Sequence, residues 1–374
     1  MSGKPTQPTS YWDYIQVETL LDLQRGTAAS EHELIDDEVR FIVIHQIDEL
    51  WFKLVLRELV TARNLFAQNP VPEDALAGAV QSLRRITLVF ELAAQHFKLM
   101  ETMRTQDYLT FRDKLSPASG FQSAQLREIE ILLGLPEGDR IPLGNEGSYL
   151  EALKSSDGSP SPALVRVQRR QKDLPTLRAA VSAWLQRTPI DGCSPGDPGD
   201  DAAVDRFVTR YLAGHELLYQ RAIDHQVAIQ AMTPTDEERL RARYRGQLAG
   251  AQRHMQAEDV PDERRGFVRR LRAAILFVDS NRTLPLLSWP GQIIDGLIEC
   301  EQAMLAFRQR HARMVERVIG RRVGTGGSDG VAYLDQTALK YRVFPEIWAA
   351  RTLLLPPDLC PPVADRGWYG LAHE

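Results

Sequence analysis

The chain has 374 residues, of which 43% are hydrophobic, and this content is ample for a packed core. Its formal net charge of -5 gives no overall attraction to nucleic acid, so we expect no nucleic-acid partner. The three cysteines form no disulfide framework or metal-site spacing, which is typical of a reducing compartment. The sequence opens without a signal peptide, and no apolar run approaches the length of a membrane span. We therefore expect a soluble, cytoplasmic protein with no membrane partner.

Helical periodicity runs through nearly the whole chain, and sustained strand patterns are almost missing. Thr235 precedes acidic residues and is predicted to be the N-cap of a helix. We predict an all-α fold, a helical bundle formed by a single domain over residues 1–374. The predicted helices cover residues of about 31–68, 73–104, 121–133, 162–186, 201–232, 235–257, 262–279, 290–319 and 335–353.

Two segments differ from the rest in composition. Residues 155–265 are the most charged and arginine-rich, and they predict an inserted helical excursion with solvated faces, outside the catalytic core. Within them, proline, glycine and aspartate cluster at residues 188–201, which indicates a loop. Residues 356–374 are proline-rich and predict a C-terminal tail that lies over the surface.

A histidine within a predicted helix, His311, is followed by a glycine-dense loop over residues 320–330. Such glycines let backbone N–H groups approach a small anionic ligand. Nucleotide binding is not expected, because the loop follows a helix, lacks a P-loop lysine and has Asp329 where a third glycine belongs. No second histidine or carboxylate stands at metal-site spacing from His311. The residue is therefore either a core histidine or a single axial ligand, which is all that haem requires.

Two further positions combine polar groups with apolar helix faces. His45 shares a face with Phe41, and it is either a core histidine bonded to a carbonyl or a pocket residue that bonds a substrate N–H. An arginine on an apolar stripe needs an anion, which can be an internal carboxylate or that of a substrate. That stripe, at helical spacing, consists of Tyr108, Phe111, Arg112 and Leu115.

Five sequence patterns then occur in order and span most of the chain outside residues 155–265. They are similar to those of the tryptophan 2,3-dioxygenase family, whose members are haem enzymes that open the indole ring. The patterns are YWDY at Tyr11–Tyr14, HQ..ELWFK within Phe41–Lys53, FR..L..ASGFQS.Q.R.IE within Tyr108–Glu130, RQRH with GTGGSDG within Arg308–Gly330, and FPEIW at Phe344–Trp348.

This resemblance implies a tryptophan 2,3-dioxygenase-like bundle around a haem pocket. His311 would be the proximal ligand of the iron of haem b, and His45 would contact the indole N–H from the distal side. Arg112 and Thr325 would hold the carboxylate and ammonium groups of the substrate. The hydrophobic walls of the pocket would be Phe41, Tyr108 and Leu115. The residues next to bound O₂ and the haem would be Ser119, Gly120 and Phe121. The protein would be a homotetramer in which the N-terminal residues Tyr11, Tyr14 and Ile15 reach into the pocket of a neighbouring subunit.

The reaction that the resemblance implies is cleavage of the indole C2–C3 bond of L-tryptophan by O₂, with N-formylkynurenine as the product. Departures from the family pattern, together with the segment 155–265, leave alternatives open. Ala118 and Asp329 each replace a usual serine, and Phe307 replaces a usual tryptophan. The sequence also differs from the family at Trp12, Asp36, Val39 and Arg40. One alternative is haem-dependent monooxygenation of tryptophan or a tryptophan derivative in natural-product biosynthesis. Another is a non-catalytic haem-binding or sensor module, which the Arg112 and Thr325 pair disfavours because gas sensing needs no carboxylate clamp.

Overall fold

The computed structural model describes residues 10–115, 122–142, 149–155, 157–230, 232–322 and 330–370. Within these ranges the protein is all-α, as predicted, and β-type pairing is limited to two isolated bridges. The α-helices of the described residues are α1 (Tyr11–Tyr14), α2 (Val17–Leu21), α3 (Asp36–Phe66), α4 (Leu76–Met100), α5 (Thr105–Phe111), α6 (Ala124–Leu133), α7 (Pro162–Gln171), α8 (Leu177–Gln186), α9 (Asp200–Ile229), α10 (Pro234–Met255), α11 (Asp262–Ser280), α12 (Pro285–Ile319), α13 (Val331–Lys340) and α14 (Pro345–Leu353).

Several predicted helix limits need correction. The predicted helix at 162–186 is divided into α7 and α8, and the one at 335–353 into α13 and α14. The predicted cap at Thr235 is wrong, because the side chain of Thr233 accepts the N–H of Asp236 and Pro234 takes the first turn. Proline suits that position, where its missing N–H would have no helical partner.

The site is built on three helices that pack side by side. α12 lies along α4, and α4 lies along α3. Residues of α4 that recur every three or four positions, among them Leu83, Ile86, Phe90 and Phe97, are almost completely buried between them. Each such side chain stabilises the fold by about 1.5–3 kcal/mol. None of the helices in the described part of the chain combines the length and apolarity that crossing a bilayer requires.

The charged segment 155–265 also contributes to the main core. Leu177 and Val181 of α8 and Tyr211 of α9 are almost fully buried, whereas α10 exposes most of its surface. The solvated faces expected for this segment are therefore found on α10 rather than on α8. The tail is anchored as well, since Tyr369 is buried and its hydroxyl donates to the carbonyl of Pro189 at 2.9 Å.

Gly214 marks a close approach between α9 and the C-terminal tail. A Cβ atom at this position would lie 2.5 Å from the carbonyl oxygen of Leu359 and 2.7 Å from Cδ1 of Leu355. We expect Gly214→Ala to lower the free energy of unfolding by about 1–3 kcal/mol, as overpacking does. The control is Gly250→Ala in α10, where a Cβ meets nothing within 4 Å, and it should be neutral or slightly stabilising. Equal urea midpoints for the two variants would contradict this close approach.

Candidate active site

Two predicted site histidines lie on helices that share their neighbours. His45 lies on α3 and His311 on α12, and both helices pack against α4 and α5. The pKa of His311 is lowered to about 4, first by burial and then by the charges of His45 and Arg308. Since His45 contributes to this lowered pKa, the two side chains lie in the same region of the fold.

The surroundings of His311 suit a metal ligand. Its ring centroid lies 5.3 Å from that of Phe97 and 6.3 Å from that of Phe307, with the Phe307 ring nearly parallel to it. His311 is half-buried, and burial is the main cause of its lowered pKa. A neutral imidazole offers a nitrogen lone pair to a metal without first losing a proton.

The chemistry of the donor set favours haem over an ion held by the protein alone. Among the described residues, no group of three or more His, Cys, Asp or Glu side chains is placed to hold a metal ion. A single neutral imidazole among aromatic rings suits a macrocycle that supplies four nitrogens of its own. The residues present therefore fit haem, which His311 would hold.

The hydrogen bond of His45 determines which of its nitrogens can meet a substrate. Nδ1 lies 2.7 Å from the carbonyl oxygen of Phe41. A carbonyl can only accept, so Nδ1 carries the proton and, in the neutral ring, Nε2 is an acceptor. His45 therefore bonds to a backbone carbonyl, which is the first of its two predicted roles. The same bond leaves Nε2 as an acceptor, which the second predicted role, a contact with an indole N–H, requires.

Aromatic side chains from α3 and α5 form one wall beside His45. The Phe41 ring centroid lies 4.0 Å from that of His45, 5.7 Å from that of Phe111 and 6.3 Å from that of Tyr108. Tyr108 and Phe111 are buried, and Leu115 packs against the same core. An apolar wall of this kind excludes water and strengthens the polar contacts made inside it.

Arg112 lies at the C-terminal end of α5, half-buried next to this wall. Its guanidinium is hydrogen-bonded to the hydroxyl of Tyr108. Burial raises the pKa of Tyr108, and the Arg112 charge only partly offsets this effect, so the phenol stays protonated. The contact holds a cation at the edge of the aromatic wall.

The N-terminal site residues predicted from the sequence are exposed in this chain. The exposed fractions of Tyr11, Tyr14 and Ile15 are 76%, 77% and 42%. The positions Ser119, Gly120, Phe121 and Thr325, together with Ala118 and Asp329, lie outside the described residues. Their predicted roles stay predictions.

Three residues near His311 received no role from the sequence. Phe97 has the spacing of an ordinary core residue of α4, and only the fold shows that it touches the histidine. Phe307 packs against Phe52, Phe90 and Phe97 with centroid separations of 5.8, 5.7 and 5.3 Å, so a phenylalanine fills this place. Arg308 stands three residues before His311, a spacing that places the two on neighbouring parts of one helix face.

The fold and the site together define a class of protein. They describe an all-α protein with a neutral imidazole among aromatic rings, a second imidazole beside an aromatic wall, and an arginine at the edge of that wall.

Comparison with known proteins identifies the family. Residues 3–354 match the family model described as tryptophan 2,3-dioxygenase. The chain is 54% identical over 380 residues to the tryptophan 2,3-dioxygenase of Sorangium cellulosum, an alignment that covers 100% of this chain and 90% of that protein. It is 50% identical over 378 residues to tryptophan 2,3-dioxygenase 2 of Ralstonia nicotianae, covering 98% and 99%. The chain belongs to the tryptophan 2,3-dioxygenase family, as its sequence patterns predicted.

A third relative is shorter. The chain is 48% identical over 275 residues to a tryptophan 2,3-dioxygenase-like protein of Xanthomonas campestris pv. campestris, and the alignment covers 73% of this chain and 99% of that protein. About a quarter of the present chain therefore has no counterpart in that alignment.

Proposed function

We propose that the protein binds haem b through His311 and uses O₂ to cleave the indole C2–C3 bond of L-tryptophan, with N-formylkynurenine as the product. The observation that carries the proposal is the pair His45, with an acceptor nitrogen beside an aromatic wall, and His311, a neutral imidazole packed against Phe97 and Phe307. Bound haem would supply the iron at which O₂ is activated.

The protein's own residues would bind and orient the substrate. Nε2 of His45 accepts the indole N–H, while Phe41, Tyr108 and Phe111 enclose the ring and exclude water. Arg112, beside this wall, pairs with the substrate carboxylate. Holding both ends of the substrate fixes the indole against the site of O₂ binding, and alignment of this kind removes about 7–11 kcal/mol from a barrier at best.

Four further roles rest on the sequence resemblance alone. Thr325 would contact the substrate ammonium group while Arg112 holds the carboxylate, and Ser119, Gly120 and Phe121 would border bound O₂ and the haem.

We propose that the protein forms a homotetramer in which N-terminal segments are exchanged between subunits. α1 and α2 bury none of their residues, and they expose Tyr11, Tyr14 and Ile15. A groove of about 350 Å³ with an apolar floor could receive such a segment; it is lined by Glu31, Asp36, Val39, Arg40, Val43, Ile44 and Leu99.

Deleting residues 1–16 tests the exchange. The truncated protein should have a smaller assembly mass by light scattering, because the segments that join the subunits are gone. Its KM for L-tryptophan should be higher, because Tyr11, Tyr14 and Ile15 would no longer cover the pocket of the neighbouring subunit. A tetramer with an unchanged KM would contradict the exchange.

The mass of the product tests the proposed reaction. Haem-loaded protein supplied with L-tryptophan, ascorbate and O₂ should give a product heavier than the substrate by two oxygen atoms. A gain of one oxygen atom would instead support the monooxygenase alternative. Bound haem without any product would support the sensor alternative.

A further inference from the structure

A buried carboxylate on α6 joins three arginines near His311. Glu130 is 1% exposed. Its Oε2 accepts hydrogen bonds from Nη1 of Arg127 at 2.8 Å and Nη1 of Arg140 at 2.7 Å, and its Oε1 accepts one from Nη2 of Arg308 at 2.6 Å. The four side chains connect α6, the turn that follows it and α12.

The charges of this cluster do not balance. Although burial alone would raise the pKa of Glu130, the three arginines hold it at about 2, so the group is an anion at physiological pH. The only other carboxylate on these arginines among the described residues is Glu137, which contacts Arg140 at 3.0 Å but is 62% exposed and screened by water. Glu301, another buried carboxylate, lines the same cavity as Glu130 and Arg308 and offsets part of the arginine charge. The three guanidinium groups thus share Glu130 as a hydrogen-bonded buried carboxylate.

Arg308 brings one of these positive charges towards the proposed haem ligand. It stands three residues before His311 on α12, and it is buried and fixed over the ring of Tyr341 at 4.7 Å. Its bond to Glu130 and its contact with Tyr341 hold the guanidinium of a residue less than one helical turn from His311. By contrast Arg313, also close to His311 in sequence, is half exposed and paired with Glu316 and Asp335.

We propose that Arg308, held in place by Glu130, is a positioning residue that raises the reduction potential of haem bound at His311. The inference rests on the proposed function. A fixed cation in a poorly screened interior favours the form of the iron with the lower positive charge, which is ferrous haem. Glu130 moderates this effect and fixes the distance of the cation from His311.

Spectroelectrochemical titration of the haem-loaded protein tests the inference. Arg308→Met should lower the ratio of ferrous to ferric haem at a fixed potential by about tenfold, a midpoint about 59 mV lower for one electron. Glu130→Gln should shift the midpoint in the opposite direction, because it leaves three arginines without their buried anion. Arg308→Lys keeps the charge and should stay close to the wild type. Arg313→Met removes an exposed charge and should leave the midpoint unchanged.

The directions of the midpoint shifts separate an electrostatic effect from structural damage. Opposite shifts for Arg308→Met and Glu130→Gln support the inference, and if Arg308→Met does not retain haem, Glu130→Gln and Arg308→Lys still test it. Shifts in the same direction, or none, would overturn it while leaving the proposed function intact. A wild-type protein that binds no haem would refute the proposed function itself, before any variant is measured.

Discussion

His311→Ala is expected to abolish stable haem binding and, with it, tryptophan oxidation. The loss of an outer partner of a metal ligand costs about 10–100-fold in affinity, so the loss of the ligand itself should exceed this range. Burial lowers the pKa of His311, so its neutral imidazole can coordinate the iron without first losing a proton. The measurement is the Soret absorbance of the purified variant, followed by its rate of product formation.

Two comparisons make this result specific. His225→Ala removes an exposed histidine of α9 and should leave both the Soret band and the activity unchanged. Imidazole added to His311→Ala should restore part of the Soret band, because it can occupy the space of the missing side chain between Phe97 and Phe307. A His311→Ala protein with normal haem content and activity would show that another residue binds the iron.

Arg112→Ala is expected to raise the KM for L-tryptophan by about 10–100-fold while kcat changes less. A hydrogen bond to a charged group contributes about 1.5–3 kcal/mol, and each 1.4 kcal/mol is a factor of ten. The indole would still be held by Phe41, Tyr108 and His45, so the lost contact should be one made equally in the ground and transition states. Arg112→Lys keeps the positive charge but lacks the planar guanidinium, so its KM should lie between those of the wild type and Arg112→Ala.

The choice of substrate separates a carboxylate clamp from a purely structural arginine. Tryptamine lacks the carboxylate, so the wild type should bind it poorly, and Arg112→Ala should weaken tryptamine binding little further. Tyr108→Phe removes the hydroxyl that contacts Arg112 but keeps the ring wall, so it should have a smaller effect than Arg112→Ala. An equal loss of affinity for L-tryptophan and tryptamine in Arg112→Ala would contradict the clamp.

Much of the architecture could be predicted from the sequence because helical periodicity is a local signal. The long helices α3, α4, α9 and α12 were all predicted, with ends displaced by a few residues. The errors arose where backbone chemistry competes with periodicity. Pro234 moved the cap of α10 back to Thr233, and α12 continues through Pro290, where the sequence analysis placed its start.

Burial within the charged segment could not be predicted from composition. Residues 155–265 are rich in arginine, yet the side chain of Arg170 is only 16% exposed and pairs with the buried carboxylate of Glu128. Arg270, which follows the segment, is buried and bonds to Asp200 within it. Such partners come from distant parts of the chain, and a sequence pattern cannot reveal them.

The site shows the same division between local and distant signals. The sequence singled out His45, Arg112 and His311 because each is a polar group in an apolar helical setting. It could not show that Phe97 lies against His311, or that Glu130 binds Arg308 across 178 positions of sequence. Those contacts depend on how α4, α6 and α12 pack, which is a property of the whole fold.

The most direct test of haem-dependent dioxygenation follows the oxygen atoms themselves. Haem-loaded protein is given L-tryptophan and ¹⁸O₂ in ordinary water, and the product is analysed by mass spectrometry as soon as it forms. We expect both new oxygen atoms to carry the label, because cleavage of the C2–C3 bond places one atom of O₂ on each carbon. A product with a single labelled oxygen, formed by the wild-type protein with its haem bound, would contradict the proposed reaction.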